Sequence, residues 1–195
     1  MKYPIGIDEV GRGPIAGPVA VGAFIILNDV AIKLFKDVKE SKQLSESKRE
    51  KWFEEINKAK KLGLINYVVT FQSEKVIDNK GLSFAIKNAL RISLSKLKVN
   101  ADECKVLLDG GLKAPVEYQD QKTIIKGDEK EMVIALASIC AKVLRDREMR
   151  KWAKKYPQYG WDINKGYGTR RHYEGIKAFG LTSLHRRSFL PKTTK

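Results

Sequence analysis

The apolar run Val19–Leu27, VAVGAFIIL, constrains the fold more than any other segment. It falls far short of the roughly 20 residues a helix needs to cross a bilayer, and it is rich in β-branched residues. It therefore reads as a buried strand. The N-terminal MKYPIGIDEV carries acids where a signal peptide would be apolar. With no membrane partner indicated, a cytoplasmic location is the expectation.

The neighbouring segments complete a sheet. Tyr3–Val10 reads as a short strand ending in acids, and Leu64–Phe71 as a third strand. Lys105–Leu108 runs into Asp109-Gly110-Gly111, and Gln121–Lys126 ends at Gly127-Asp128. Glu40–Ser45 is a loop whose last residue caps a helix over Glu46–Lys61. Apolar residues at helical spacing place a further helix at Gly81–Leu97, and Glu131 to about Lys154 reads as a long helix whose nearly all-apolar first half should be buried. A short one is expected at Thr169–Ala178. Three successive strands suggest an antiparallel meander, and later strands separated by a helix suggest parallel additions. The fold class is α/β, a mixed five-stranded sheet flanked by helices. Cys104 and Cys140 lie in no CxxC or Cys/His spacing and read as small buried residues.

The formal charge is +15. From Lys142 to Lys195 there are 15 Lys or Arg against 4 Asp or Glu, a net of +11. Such asymmetry points to a polyanionic partner, most often nucleic acid, although a merely soluble basic surface has the same composition.

Acids lie at three strand ends: Asp8 and Glu9, then Asp109, then Asp128. Apolar strands can bring such ends to one sheet edge, where ligands bind in α/β proteins. Clustered carboxylates repel one another, and a hard cation such as Mg²⁺ is the usual compensation. Two such ions can stabilise the attacking and leaving oxygens of a phosphodiester displacement. Any single acid of this kind can also be a solvated loop residue. Adjacent side chains on a regular strand point to opposite faces, so Asp8 and Glu9 can share a site only if the strand bends or bulges. Alternatively, Glu9 contributes its main-chain carbonyl.

The segment Gly11-Arg12-Gly13-Pro14-Ile15-Ala16 formally fits the pyrophosphate fingerprint G-x-G-x-x-A. A strand follows it where the fingerprint requires a helix, so it reads instead as a tight loop that nucleic acid can approach closely. Lys42 lies in a loop, Ser138 and Lys142 sit one turn apart on a buried helix, and Tyr167 and Arg170 lie in GYGTRRH. Tyr167, between two glycines, can stack on a sugar or base. Each of these also has an ordinary structural reading.

Six segments together resemble ribonuclease HII, the type 2 ribonuclease H family. They are GIDEVGRGPIAGPV at 6–19, ESKQLSESKRE at 40–50, LLDGG at 107–111, IIKGDEKEMVIALASICAKVLRDR at 124–147, KGYGTRRHYEGI at 165–176 and HRRSF at 185–189. The resemblance implies a ribonuclease H-like catalytic core over residues 1–155. A C-terminal basic, helical extension over 156–195 would pack on that core and help bind substrate. It implies a metal-binding catalytic quartet of Asp8, Glu9, Asp109 and Asp128, loaded with Mg²⁺ or Mn²⁺; Asp146 is implied to be structural or peripheral. Gly11, Arg12, Gly13 and Tyr167 would grip a nucleotide by the 2′-OH that marks it as RNA, next to DNA on its 3′ side. Lys42, Ser138, Lys142 and Arg170 would contact substrate. The implied activity is endonucleolytic hydrolysis of the RNA strand of RNA–DNA hybrids, and cutting 5′ to ribonucleotides embedded in duplex DNA. It would proceed by two-metal in-line attack of water, leaving 5′-phosphate and 3′-hydroxyl ends, in removal of misincorporated ribonucleotides and RNA primers. A monomer is expected, and a sliding clamp is possible as a partner but not indicated. His172, beside Arg170 and Arg171, reads as a phosphate contact rather than a proton-transfer group. A non-catalytic RNA-binding protein and a DNA junction resolvase of the same fold are the rival readings.

Overall fold

The computed structural model describes residues 2–38 and 44–191. Lys42 lies outside them. Five strands form one sheet in the order β3-β2-β1-β4-β5. They are β1 (Tyr3–Val10), β2 (Val19–Ile26), β3 (Ile65–Gln72), β4 (Cys104–Asp109) and β5 (Gln121–Ile124). The first three make the antiparallel meander, and β4 and β5 add in parallel on the other side of β1.

Helices cover both faces, which is why β2 is apolar throughout. On one face α4 (Leu82–Leu97) packs Ala85, Ala89 and Leu94 against Ile5, Ile7, Val21 and Val106. On the other, α6 (Met132–Lys155) and α2 (Glu46–Lys61) pack Ile134, Ala137, Phe53 and Ile56 against Phe24 and Leu107. The two expected cysteines are buried and free, one in each layer. Among the described residues, three helices have no counterpart in the sequence reading, α1 (Asp29–Phe35), α3 (Glu74–Lys80) and the one-turn α7 (Trp161–Asn164), and a one-turn α5 (Gly127–Lys130) precedes α6. Among the described residues no helix is long and apolar enough to cross a membrane.

The α6 backbone lies directly on the sheet. A Cβ at Gly6 would overlap the carbonyl oxygen of Val133, and one at Gly22 that of Ala137. Strand alternation puts Asp8 on the same face as Gly6, opposite Gly22 in the β1–β2 register. The glycine contact therefore draws α6 down beside Asp8.

Past Tyr156 the chain forms α7 (Trp161–Asn164) and α8 (Arg170–Phe179) and folds back over the segment that follows β1. Ile15, Ala16, Met149, Ala153, Tyr159, Trp161, Ile176 and Leu184 share one apolar cluster. Ala16 bridges His185, Gly17 N–H donates to Leu184 O at 2.8 Å, and Arg186 N–H donates to Ile15 O at 2.8 Å.

Substituting Gly6→Ala inserts a methyl group into backbone that cannot yield. It should cost at least about 3 kcal/mol, read as the shift in a urea unfolding curve. A loss below about 1 kcal/mol would mean that α6 is not seated on the sheet in this way.

Candidate active site

Asp8, Glu9, Val10, Gly11, Arg12, Gly13, Arg49, Asp109, Ser138, Lys142 and Tyr167 line one cleft at the sheet edge, with an accessible volume of about 460 Å³. Asp8 is 4% exposed. It accepts hydrogen bonds from Glu9 N–H at 2.7 Å and from the Ser138 side chain. Burial pushes its pKa up to about 8, and the charges of Glu9, Asp109 and Asp128 push the same way, against the Ser138 hydrogen bond. Burial also raises the pKa of Glu9, which Arg12 partly offsets through a 2.8 Å ion pair.

The β1–β2 register runs without interruption from Ile5↔Ile25 to Val10↔Ala20. The anticipated bend or bulge between Asp8 and Glu9 is therefore absent from that ladder. Instead, pairing with β4 stops at Ile7↔Leu108. Beyond that point β1 has no strand partner on that side among the described residues, and Asp8 and Glu9, from its two faces, both line one cleft.

Asp109 ends β4, and its Oδ1 accepts Gly127 N–H at 2.7 Å, which ties the turn into α5 to the strand end. Asp128 follows in α5 and is 2% exposed. It does not line the open cleft but is close enough to contribute to the field on Asp8.

Among the described residues, no three carboxylates already converge at metal-ligating distance. The donor chemistry nevertheless fits a hard divalent cation. The four candidate acids offer only oxygen ligands, Glu9 Oε2 is buried with no hydrogen-bond partner among the described residues, and burial beside the other acids opposes the ionised form of Asp8, which a neighbouring cation would favour.

Ser138 and Lys142 reach the cleft from α6. Lys142 also pairs with the buried Asp146 at 2.9 Å, which fits a structural place for that acid. Tyr167 is 46% exposed, and a Cβ on Gly13 would come within 3.4 Å of its Cε1, so the tyrosine stands against the glycine loop. Arg170 does not join the cleft; it is exposed on α8 and pairs with Glu174 at 2.7 Å. Arg49 does join it, from the first turn of α2. Nothing in the spacing around Arg49 announced this. The only signal was its place in ESKQLSESKRE.

The reading of His172 as a phosphate contact is overturned, because the side chain is completely buried. Its Nε2 accepts Trp161 Nε1–H at 2.9 Å, so Nδ1 carries the proton and donates to Tyr167 O at 2.8 Å. His185 Nδ1 accepts Thr182 N–H at 2.9 Å, leaving its Nε2–H to donate to His172 Nε2 at 3.1 Å. The two histidines thus form a neutral strut behind Tyr167. Burial lowers both pKa values, that of His185 to about 4 with His172 adding to the effect.

A family model described as Ribonuclease HII matches residues 5–192. The chain belongs to the ribonuclease HII family. A ribonuclease HII of Clostridium beijerinckii is 44% identical over 192 residues, covering 98% of this chain and 68% of that protein. The ribonuclease H2 structure from Pyrococcus horikoshii OT3 superposes with a TM-score of 0.77 at 27% identity, covering 98% of this chain and 95% of that one. Ribonuclease HII from Archaeoglobus fulgidus, solved in a complex with PCNA, gives 0.76 at 25% identity, covering 97% and 96%. This member of the ribonuclease HII family is accordingly a ribonuclease H nuclease with the ribonuclease H-type α/β fold.

Two pH effects follow. Asp8 has a folded pKa near 8 against 3.8 when unperturbed, so its contribution to stability is complete below the lower value and is lost as pH rises through the upper one. Without metal, Asp8→Asn should therefore gain in Tm over wild type from about pH 5 to about pH 9. Millimolar Mg²⁺ should raise the wild-type Tm near pH 8 and do little for the variant. A metal-free variant less stable than wild type near pH 9 would contradict this.

His185 has its pKa depressed from 6.5 to about 4. Its contribution is intact above the first value and falls away toward the second, by on the order of 2–3 kcal/mol. His185→Asn should flatten the decline in stability over that window. An unchanged acid limb would remove His185 as its source.

Proposed function

We infer that this chain hydrolyses the RNA strand of RNA–DNA hybrids and cuts on the 5′ side of ribonucleotides embedded in duplex DNA. The observation that carries the reading is one cleft in which Asp8, Glu9 and Asp109 face the Gly11–Gly13 loop, Tyr167, Ser138 and Lys142. A protein that only bound RNA would gain nothing from buried acids beside a phosphate site.

Asp8, Glu9, Asp109 and Asp128 are the residues that would hold the cation. Mg²⁺ or Mn²⁺ bound there, as one ion or a pair, supplies Lewis-acid activation of water and neutralises charge on the phosphodiester, giving 5′-phosphate and 3′-hydroxyl products. The protein's own groups supply the rest. Ser138 holds Asp8 by a hydrogen bond that favours its ionised form. Lys142 and Arg49 offer charge to substrate phosphates across the cleft. Tyr167 offers a ring face to the sugar of the ribonucleotide. Lys42 remains a candidate phosphate contact, and exposed Arg170 could meet only the outer part of a duplex.

The extension beyond residue 155 packs on the loop that follows β1, which favours a share in substrate binding. A monomer is the expected working state. The Archaeoglobus relative binds PCNA, and a clamp partner here is consistent with that kinship.

The deciding assay is cleavage of a DNA duplex carrying one ribonucleotide, with Mg²⁺ and with EDTA. Metal-dependent cutting on the 5′ side of the ribonucleotide is expected. Asp109→Asn should lower kcat at least about 1,000-fold while substrate Kd changes less than about threefold. Tight binding with no cutting of either this duplex or a continuous hybrid would sink the nuclease reading.

A further inference from the structure

Arg186 is a large cation with no exposed surface, buried beneath the glycine loop. A guanidinium taken out of water is costly to hold unless its donors are all used well. Among the described residues no carboxylate forms an ion pair with Arg186. Its donors go instead to three carbonyl groups of a single loop: Nη2 to Gly11 O at 2.8 Å, Nη1 to Arg12 O at 3.0 Å and Nε to Gly17 O at 2.8 Å. The planar fork of an arginine can reach three such acceptors; the single ammonium of a lysine cannot match that geometry.

These bonds fix more than the carbonyls. In a planar trans peptide the C=O and the following N–H point in opposite directions. Drawing Gly11 O and Arg12 O inward therefore turns the N–H groups of Arg12 and Gly13 outward, and both residues line the cleft. Neither amide donates to any described residue. A second buried guanidinium, Arg145, lies under the same loop, donating to Pro18 O at 2.9 Å and Lys165 O at 3.1 Å. Gly11, at φ +92°, packs on that side chain with no room for a Cβ. Ile15 N–H and Ala16 N–H donate to Gly166 O at 2.9 and 3.2 Å, which locks the loop to the residue before Tyr167.

We propose that Arg186 is a positioning residue for substrate recognition, holding the loop so that the Arg12 and Gly13 amides face the ribose hydroxyl or its adjoining phosphate. It touches no substrate itself. The proposal rests on the reading above that this loop and Tyr167 meet the ribonucleotide. It accounts for the HRRSF segment, which lies outside the cleft. The charge persists at neutral pH, since burial and the neighbouring Arg145 lower the pKa only to about 9.

The test compares wild type, Arg186→Lys and Arg145→Lys on two substrates, a DNA duplex with one ribonucleotide and a continuous RNA–DNA hybrid. Both variants keep a positive charge and lose the fork. Displacing the loop amides by about 1 Å should lower kcat on the single-ribonucleotide duplex on the order of 100-fold. KM should change little, the loss on the hybrid should be at least tenfold smaller, and the Mg²⁺-induced rise in Tm should persist. Equal losses on both substrates that track lost stability would overturn the proposal in favour of a purely structural arginine. Failure of both variants to fold would overturn it too, because positioning requires the fold to survive loss of the fork. Wild type that cuts the hybrid but not the single-ribonucleotide duplex would instead remove the underlying reading of the loop.

Discussion

Holding Asp8 almost dry beside three further carboxylates is the constraint around which the rest of the chain is arranged. Such an arrangement is unfavourable by itself, because burial and mutual repulsion both oppose ionisation and push the pKa of Asp8 up to about 8. The scaffold that sustains it is stiff. β1 lies mid-sheet with an antiparallel partner on one side and a parallel partner on the other. Gly6 and Gly22 let α6 settle onto the sheet, which brings Ser138 to Asp8 and Lys142 to the rim. The parallel addition of β4 and β5 then delivers Asp109 and Asp128 from the same end of the sheet.

The second half of the site is organised differently. The loop after β1 contributes little apolar surface at its tip, and it is fixed by polar contacts from the far end of the chain. Arg186 and Arg145 hold its carbonyls, Gly166 accepts its amides, and the His172–His185 pair supports the carbonyl of Tyr167. Core and extension thus have separate tasks. The sheet and α6 gather the acids, whereas the extension fixes the loop that borders the same cleft. Both tasks converge on residues 8–13, where strand passes directly into loop.

Much of this was legible from residue patterns, and the exceptions have physical causes. β2 is buried on both faces, so its apolar run was unmistakable; α4 carries a helical stripe, and the first half of α6 is apolar and buried all round. In α1, by contrast, only Ala31 and Phe35 are buried, while Val30, Ile32 and Leu34 lie exposed at alternating positions. That pattern resembles no amphipathic helix. Only Ile77 of α3 is buried. Strand-end acids announced the site, but where β4 stops pairing beside Asp8 and Glu9 is a tertiary fact. His172 was misread because its arginine neighbours project outward from the first turn of α8 while it turns inward. Arg49 reaches the cleft through the placement of α2, which local spacing does not encode.

The most direct measurement is a carboxyl-carbon NMR titration of Asp8, with and without Mg²⁺. Without metal, Asp8 should titrate near pH 8, as burial beside Glu9, Asp109 and Asp128 dictates. With saturating Mg²⁺ the midpoint should fall by several pH units, because a cation among the carboxylates favours the ionised form. An ordinary carboxylate titration near pH 4 in metal-free protein, unmoved by Mg²⁺, would contradict the claim that these four acids are held together to receive a cation.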